Sequence, residues 1–129
     1  YYVAAQLAWN PYADKGVMLN DFYNRMYGKG SIPMRKFWEL MEATRQSHYE
    51  SHHPKHGRFF IYETYNTSFF EKAAKYIEEG LGACAGLDNK KCKERIMFAN
   101  QGLIFTKKIV EIRQLMNDFE KDLNKKEIA

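Results

Sequence analysis

Apolar side chains recur every three or four residues along most of the chain, the spacing that keeps them on one face of an α-helix. The clearest series lies near the C-terminal end, where we expect one helix from about Asp88 to Leu123. At about 1.5 Å per residue, that helix would extend on the order of 50 Å and lie along several others. Its apolar stripe consists of Phe98, Gly102, Phe105, Ile109, Ile112, Met116, Phe119 and Leu123.

A second helix is predicted just before the long one. Ser68 followed three residues later by Glu71 forms a capping box, and Gly86 supplies a C-terminal stop. The short connection makes this helix and the long one an antiparallel hairpin. The apolar positions between the cap and the stop are Phe70, Ala73, Ala74, Ile77, Leu81 and Cys84.

The first part of the chain predicts three further helices. One runs from Tyr1 to Trp9 and is broken by Asn10 and Pro11, the next ends at Gly28, and a third begins near Ser31 and Pro33 and reaches about Ser47. No capping residue precedes Tyr1. We therefore expect the chain to be the C-terminal fragment of a larger protein.

The segment between residues 48 and 67 is the exception to the helical pattern. It contains Pro54, Gly57 and an apolar run from Phe59 to Tyr62, which we interpret as extended or irregular. Taken together, the patterns predict an all-α fold, a helical bundle of about five helices with one long C-terminal helix, and residues 1–129 as a single helical domain.

Composition excludes several classes of protein. Hydrophobic residues make up 45% and charged residues 28% of 129 residues, which is ordinary globular usage. A mean hydropathy of −0.62 and the lack of a long apolar run argue against a membrane partner. The net charge is +4, but the densest basic run, Lys90 to Arg95, is short, as is Lys55 to Arg58. Nucleic-acid binding is therefore a weak hypothesis, and we expect no nucleic-acid partner.

Metal and cofactor chemistry has little support in the sequence. His48 and His52 are four residues apart and would share a helix face, with His53, His56 or Glu50 as further ligands. A histidine group beside proline and glycine is more often a solvated loop. We expect no metal and no cofactor.

Cys84 and Cys92 flank the turn of the predicted hairpin, where their α-carbons can approach the distance of a disulfide. Two buried thiols remain nearly as good an alternative.

Trp9, Asn10 and Tyr12 are the candidate contact residues. Flat aromatic rings at a helix break can stack on sugar rings, but packing against another domain is the better explanation of these residues. Trp38 and Tyr27 are interpreted as core or interface anchors. Asp14, Asp21 and Glu39 are interpreted as caps or helix surface, and no catalytic residue is predicted.

The first 42 residues resemble a bacterial family known as a domain of unknown function, in which a glycoside-hydrolase-like (β/α) barrel is followed by helices. The similarity lies in Ala8 to Pro11, Asp21 to Tyr23, Tyr27-Gly28 and Pro33 to Arg35. The run Leu7 to Pro11 is also similar to the helices after the barrel of α-glucuronidases, and Ala73 to Ile96 resembles the helix pair of the bacterial family.

The resemblance implies a non-catalytic accessory domain of a carbohydrate-active protein. Its partners would be an upstream barrel domain of the same chain and carbohydrate, and its location would be periplasmic or extracellular. The alternative is an autonomous helical module for protein interactions. The accessory domain predicts that Val3, Leu7 and Trp9 are exposed, whereas the interaction module predicts an exposed stripe on the long helix.

Overall fold

The chain folds into a bundle of α-helices. A computed structural model describes residues 2–51, 61–86 and 90–128, and within those ranges it contains no strand. Five helices of eight residues or more and one single-turn helix make up the fold, which confirms the predicted all-α bundle. The helices are α1 (Tyr2–Trp9), α2 (Lys15–Tyr27), α3 (Ser31–Ser51), α4 (Ile61–Thr64), α5 (Thr67–Ala83) and α6 (Lys90–Ile128).

The corner between α1 and α2 follows from local residue chemistry. α1 ends at Trp9, before the proline, and Asp14 caps α2 by accepting a hydrogen bond from the Val17 amide at 2.9 Å. α2 ends at Tyr27 because Gly28 adopts a positive φ of 49°. A 3-10 turn, Gly28–Gly30, then leads into α3.

Two expectations about helix boundaries were wrong. α3 continues to Ser51, beyond the predicted end near Ser47. Ile61 and Tyr62, expected to be extended, belong to the single-turn helix α4, while residues 59 and 60 lie outside the described ranges. A short apolar run has no periodicity long enough to distinguish helix from strand, and here it packs against α6.

The predicted capping box of α5 is also wrong. Asn66, not Ser68, caps the helix, accepting a hydrogen bond from the Phe69 amide at 2.9 Å. α5 ends at Ala83, ahead of the predicted stop at Gly86. α6 begins at Lys90, and the predicted cap, Asp88, lies outside the described residues.

The core lies where α3, α5 and the first half of α6 meet. Its most buried large side chains are Met34 and Phe37 from α3 and Ile96 from α6, each no more than 2% exposed. Around them pack Tyr27, Phe69, Phe70, Ala73, Ile77, Cys84, Cys92, Ala99 and Leu103. Among the described helices, none is both long and apolar enough to cross a membrane.

Gly30 allows the 3-10 turn to approach α5 and α6 closely. A Cβ at this position would lie 3.0 Å from Ile96 Cδ1, 3.1 Å from Cys84 Sγ and 3.2 Å from the Gly80 carbonyl oxygen. We expect Gly30→Ala to lower the free energy of unfolding by about 1 to 3 kcal/mol, because the added methyl overpacks the core. Urea denaturation measures the change.

Gly82→Ala is the matched control for that substitution. No atom outside the local helix lies within 4 Å of a Cβ at Gly82, so alanine should gain about 0.5 to 1 kcal/mol from helix propensity alone. Equal effects of the two substitutions would contradict the close approach at Gly30.

Candidate functional site

A groove between α2, α3 and α6 has a volume of about 1060 Å³. Its size is at the upper end of that of small-molecule sites, and it is open along one side. It is lined by Phe22, Tyr23, Met26, Tyr27, Phe37, Trp38, Met41, Glu42, Arg45, Gln46, Tyr65, Glu94, Arg95, Phe98, Ala99, Gly102, Leu103 and Thr106.

The floor of the groove is rigid and apolar. Phe37 and Leu103 are buried there, and the Trp38 ring packs edge-on against Phe37 with ring centroids 5.0 Å apart. Trp38 Nε1 donates a hydrogen bond to the Tyr27 hydroxyl at 3.0 Å, which holds the indole in place across the gap between α3 and α2. The core or interface role predicted for Trp38 and Tyr27 is consistent with these contacts.

Polar groups are confined to the rim. Glu42, Arg45 and Gln46 project from α3, and all three are exposed. Burial is the main cause that raises the pKa of Tyr23, with the nearby Glu39 carboxylate adding to it, so this hydroxyl stays protonated at neutral pH. The groove therefore presents hydrogen-bonding groups at its edge and aromatic surface within.

Arg95 closes one end of the groove. Its Nη1 donates hydrogen bonds to the carbonyl oxygens of Arg25 and Met26, at 3.1 and 2.8 Å. These carbonyl oxygens belong to the last turn of α2, where they have no hydrogen-bond partner within the helix. A cationic side chain is a favourable donor at that position. Arg95 thus fastens α6 to α2 and does not stand free as part of a basic patch, while the neighbouring Lys90 lies 3.9 Å from Glu94.

The face of α6 that packs into the core is not its longer apolar series. Cys92, Ile96, Ala99 and Leu103 are the buried positions among the described side chains of α6. They also alternate steps of four and three, so α6 carries two apolar faces at the same spacing.

The longer stripe is exposed at every position except Ile109, which is partly buried. We call it the α6 stripe and define it as Phe98, Gly102, Phe105, Ile109, Ile112, Met116, Phe119 and Leu123. Phe98 is 82%, Phe105 69% and Phe119 64% exposed. Its first residues, Phe98 and Gly102, also line the groove, so groove and stripe form one continuous surface.

Trp9, Asn10 and Tyr12 lie together at the α1–α2 corner and do not line the groove. Trp9 is 90% and Tyr12 96% exposed, while the Asn10 side chain accepts a hydrogen bond from the Tyr12 amide at 3.2 Å. Leu7 is partly buried, and nothing is described of the Val3 side chain. Both exposed rings are free to make a contact with another surface.

The corner is held to α2 by a carboxylate. The Tyr2 hydroxyl donates to Asp21 Oδ2 at 2.6 Å, and Arg25 Nε lies 2.8 Å from the same carboxylate. The hydrogen bond from Tyr2, followed by that from Arg25, lowers the pKa of Asp21. This contact is therefore complete at neutral pH and is lost only as Asp21 protonates in acid.

Cys84 and Cys92 are joined by a disulfide, with their α-carbons 6.4 Å apart. The bond connects the end of α5 to the first turn of α6, and both residues are buried in the core, with Cys84 next to Gly30. It fixes the direction in which α6 leaves the hairpin.

Among the described residues, no group of three or more histidines, cysteines or carboxylates is placed to hold a metal ion. His48 lies on α3, whereas His52, His53 and His56 lie outside the described residues.

No family model, no curated protein and no solved structure matches this chain. The site must therefore be interpreted from its own geometry.

Sequence reasoning did not find the groove, because one of its walls comes from α6, which is distant in the chain from α2 and α3. One signal was present: Phe22, Tyr23, Met26 and Tyr27 recur at helical spacing on α2. They predict an aromatic face, but not the helices that face it.

Proposed function

We propose that this chain is a non-catalytic helical module that binds an amphipathic helix of a protein partner along the α6 stripe. The observation that supports the proposal is the exposure of that stripe over residues 98–123. Soluble proteins rarely leave so much contiguous apolar surface uncovered unless it binds something. It is also the feature by which an interaction module differs from the other candidates.

The geometry of the stripe favours a helix as the ligand. Its residues alternate strictly between steps of four and three, the period of 3.5 that keeps two helices in contact over several turns. Over 25 residues at about 1.5 Å each, the contact would run for roughly 38 Å. Small ligands need no surface of that length.

The groove extends this docking surface at one end. Phe98 and Gly102 belong to both, and the opposite wall is formed by Trp38 and Met41 of α3. A partner helix lying on the stripe would therefore be flanked by a second helix near Gly102. Apolar residues repeating every three or four positions on the partner would fill this surface.

A synthetic amphipathic helix tests the proposal. A fluorescein-labelled peptide of about four heptads, with leucine at the two core positions of each heptad, should bind the chain, as measured by fluorescence anisotropy. Phe105→Glu should weaken binding by at least about 2 kcal/mol, roughly thirty-fold, since it places a charge in the centre of the contact. Phe105 is 69% exposed, so the fold should survive.

Ile104→Glu is the matched control. Ile104 is 46% exposed and adjoins Phe105 in sequence, but points away from the stripe by about 100° of helix rotation. Binding should be unchanged in this variant. Equal losses in both variants, or a monomeric chain that does not bind the peptide, would contradict the helix-docking function.

A second candidate function is supported by the α1–α2 corner. Of the residues that an accessory domain of a glycoside-hydrolase-like protein should expose, Trp9 is almost fully exposed and Leu7 is partly buried. The exposed ring of Tyr12 adds to the surface that could pack against a barrel or contact carbohydrate. The resemblance given above adds to this candidate. A periplasmic or extracellular location belongs to the same proposal.

Intrinsic fluorescence tests the sugar contact. Uronic-acid-containing oligosaccharides, which the resemblance to α-glucuronidases implies, should change the tryptophan emission of the chain through stacking on Trp9. The change should disappear in Trp9→Ala and persist in Trp38→Phe, which removes the only other tryptophan. An emission that stays constant at millimolar sugar would contradict the contact.

A further inference from the structure

The α6 stripe has opposite charge in its two halves. Residues 98–110 contain two basic side chains, Lys107 and Lys108, and no acidic one. Residues 111–123 contain four acidic side chains and two basic ones, a net charge of −2. A helix that pairs with the stripe should therefore have its acidic end over residues 98–110 and its basic end over residues 111–123.

Packing within the chain does not explain why residue 102 is a glycine. Glycine inside a helix is unfavourable relative to alanine, and it is normally retained where a side chain would collide with a neighbour. A Cβ at Gly102 would meet no atom within 4 Å. The position is instead an open notch in the stripe, beside the groove and next to Phe98 and Phe105.

We propose that the helix which covers the α6 stripe is α6 of a second copy of this chain, packed antiparallel to the first. This proposal rests on the helix-docking function and names the partner. The two-fold axis would pass between Ile109 and Ile112, at the middle of the stripe. The four layers would then be Ile109 with the partner's Ile112, Phe105 with the partner's Met116, Gly102 with the partner's Phe119, and Phe98 with the partner's Leu123.

The packing at Gly102 favours this pairing. The notch at Gly102 receives the partner's Phe119, so the smallest side chain of the stripe lies opposite one of its largest. This fit was not used to place the axis, which follows from the midpoint of the stripe. Charge contributes little to the choice of register, because Lys108 lies level with the partner's Arg113.

A parallel pair loses this fit. It would set Gly102 against the partner's Gly102, leaving a cavity, and crowd two Phe119 rings into one layer. It would also set Lys107 and Lys108 level with the same two lysines of the partner. The antiparallel arrangement is therefore the favoured one.

The stripe is large enough for a stable dimer. Aromatic side chains bury about 150 to 250 Å² each when fully covered. The three exposed phenylalanines of each copy, six in the dimer, would therefore lose on the order of 800 Å² of accessible surface in total. Ile112, Met116 and Leu123, each about half exposed, add to this. The total exceeds the roughly 1,000 Å² expected of a specific interface.

Sedimentation equilibrium of the full chain tests the proposal. The expected result is a mass of twice 15.3 kDa at high concentration, with a dissociation constant in the micromolar range or below. Phe105→Glu should give a monomer, and Ile104→Glu should leave the dimer intact. Circular dichroism of each variant checks that the fold is retained.

Exchanging the small and the large side chain between positions 102 and 119 tests the antiparallel register. Gly102→Phe alone and Phe119→Ala alone should each raise the dissociation constant at least tenfold, by overfilling and emptying the same layer. The double variant exchanges large for small across that layer and should recover most of the lost affinity. Such coupling requires the two positions to be in contact, which occurs only in the antiparallel register.

The possible outcomes distinguish the dimer proposal from the helix-docking function on which it rests. A chain that stays monomeric at all concentrations but binds the synthetic helix would overturn the second copy as partner and leave the docking function standing. A monomer that does not bind the helix would overturn both. A dimer whose two single substitutions are additive in the double variant would overturn the antiparallel pairing.

Discussion

Phe37→Ala is expected to lower the free energy of unfolding by about 3 to 5 kcal/mol, the largest effect of any single truncation that we predict. The side chain is 2% exposed and stands between Trp38 and the residues of α5 and α6 in the core. Removing the ring leaves a cavity beneath the groove that the surrounding helices can fill only in part. Urea denaturation with an unchanged dependence on denaturant would measure the loss.

Phe98→Ala is the matched comparison. The same truncation is made at a side chain that is 82% exposed, so the expected change is within about 0.5 kcal/mol when the chain is monomeric. Similar losses at Phe37 and Phe98 would mean that the α6 stripe is covered within the chain itself. That result would contradict the docking surface at its first residue.

The sequence predicts the helices of this fold, but not which face of α6 packs into the core. Helices were predictable because apolar residues recur at helical spacing over long segments, and because Gly28 needs the backbone that only glycine adopts easily. The orientation of α6 was not predictable in the same way. Both of its apolar faces have the same period, and the choice between them depends on which one fits α3 and α5.

Local signals of similar strength account for the errors at helix ends. Asn66 and Ser68 are both good capping residues, and one cap is worth only about 1 kcal/mol over another. Beginning α5 with Asn66 as its cap puts Phe69 and Phe70 into the core, a gain larger than that difference. Tertiary packing therefore selects the cap.

The candidate sites differ in how much of them the sequence reveals. Trp9 and Tyr12 were found directly, since the helix break that exposes them is encoded by the adjacent Asn10 and Pro11. The groove was not found, because it exists only where α2, α3 and α6 meet. Gly102 looks like a weak point of a helix in the sequence, and only the open space beside it suggests a docking position.

Removing the disulfide with the double substitution Cys84→Ala and Cys92→Ala is expected to cost about 2 to 3 kcal/mol of unfolding free energy, or roughly 10 °C in Tm. The bond closes a short loop of eight residues, so it restricts the unfolded chain only modestly. The two alanines lose little buried surface, since they are close in size to the cysteines. Most of the effect should therefore come from chain entropy.

Reductant provides the control for that prediction. The unmodified chain, unfolded and refolded in dithiothreitol, should match the double variant in stability, and the double variant should not respond to dithiothreitol at all. A loss below about 0.5 kcal/mol would mean that the hairpin is held by packing alone, chiefly by Ile77 and Ile96 across α5 and α6. A loss well above 3 kcal/mol would show that the bond also holds Gly30 and its turn against the two helices, because loop closure cannot supply more.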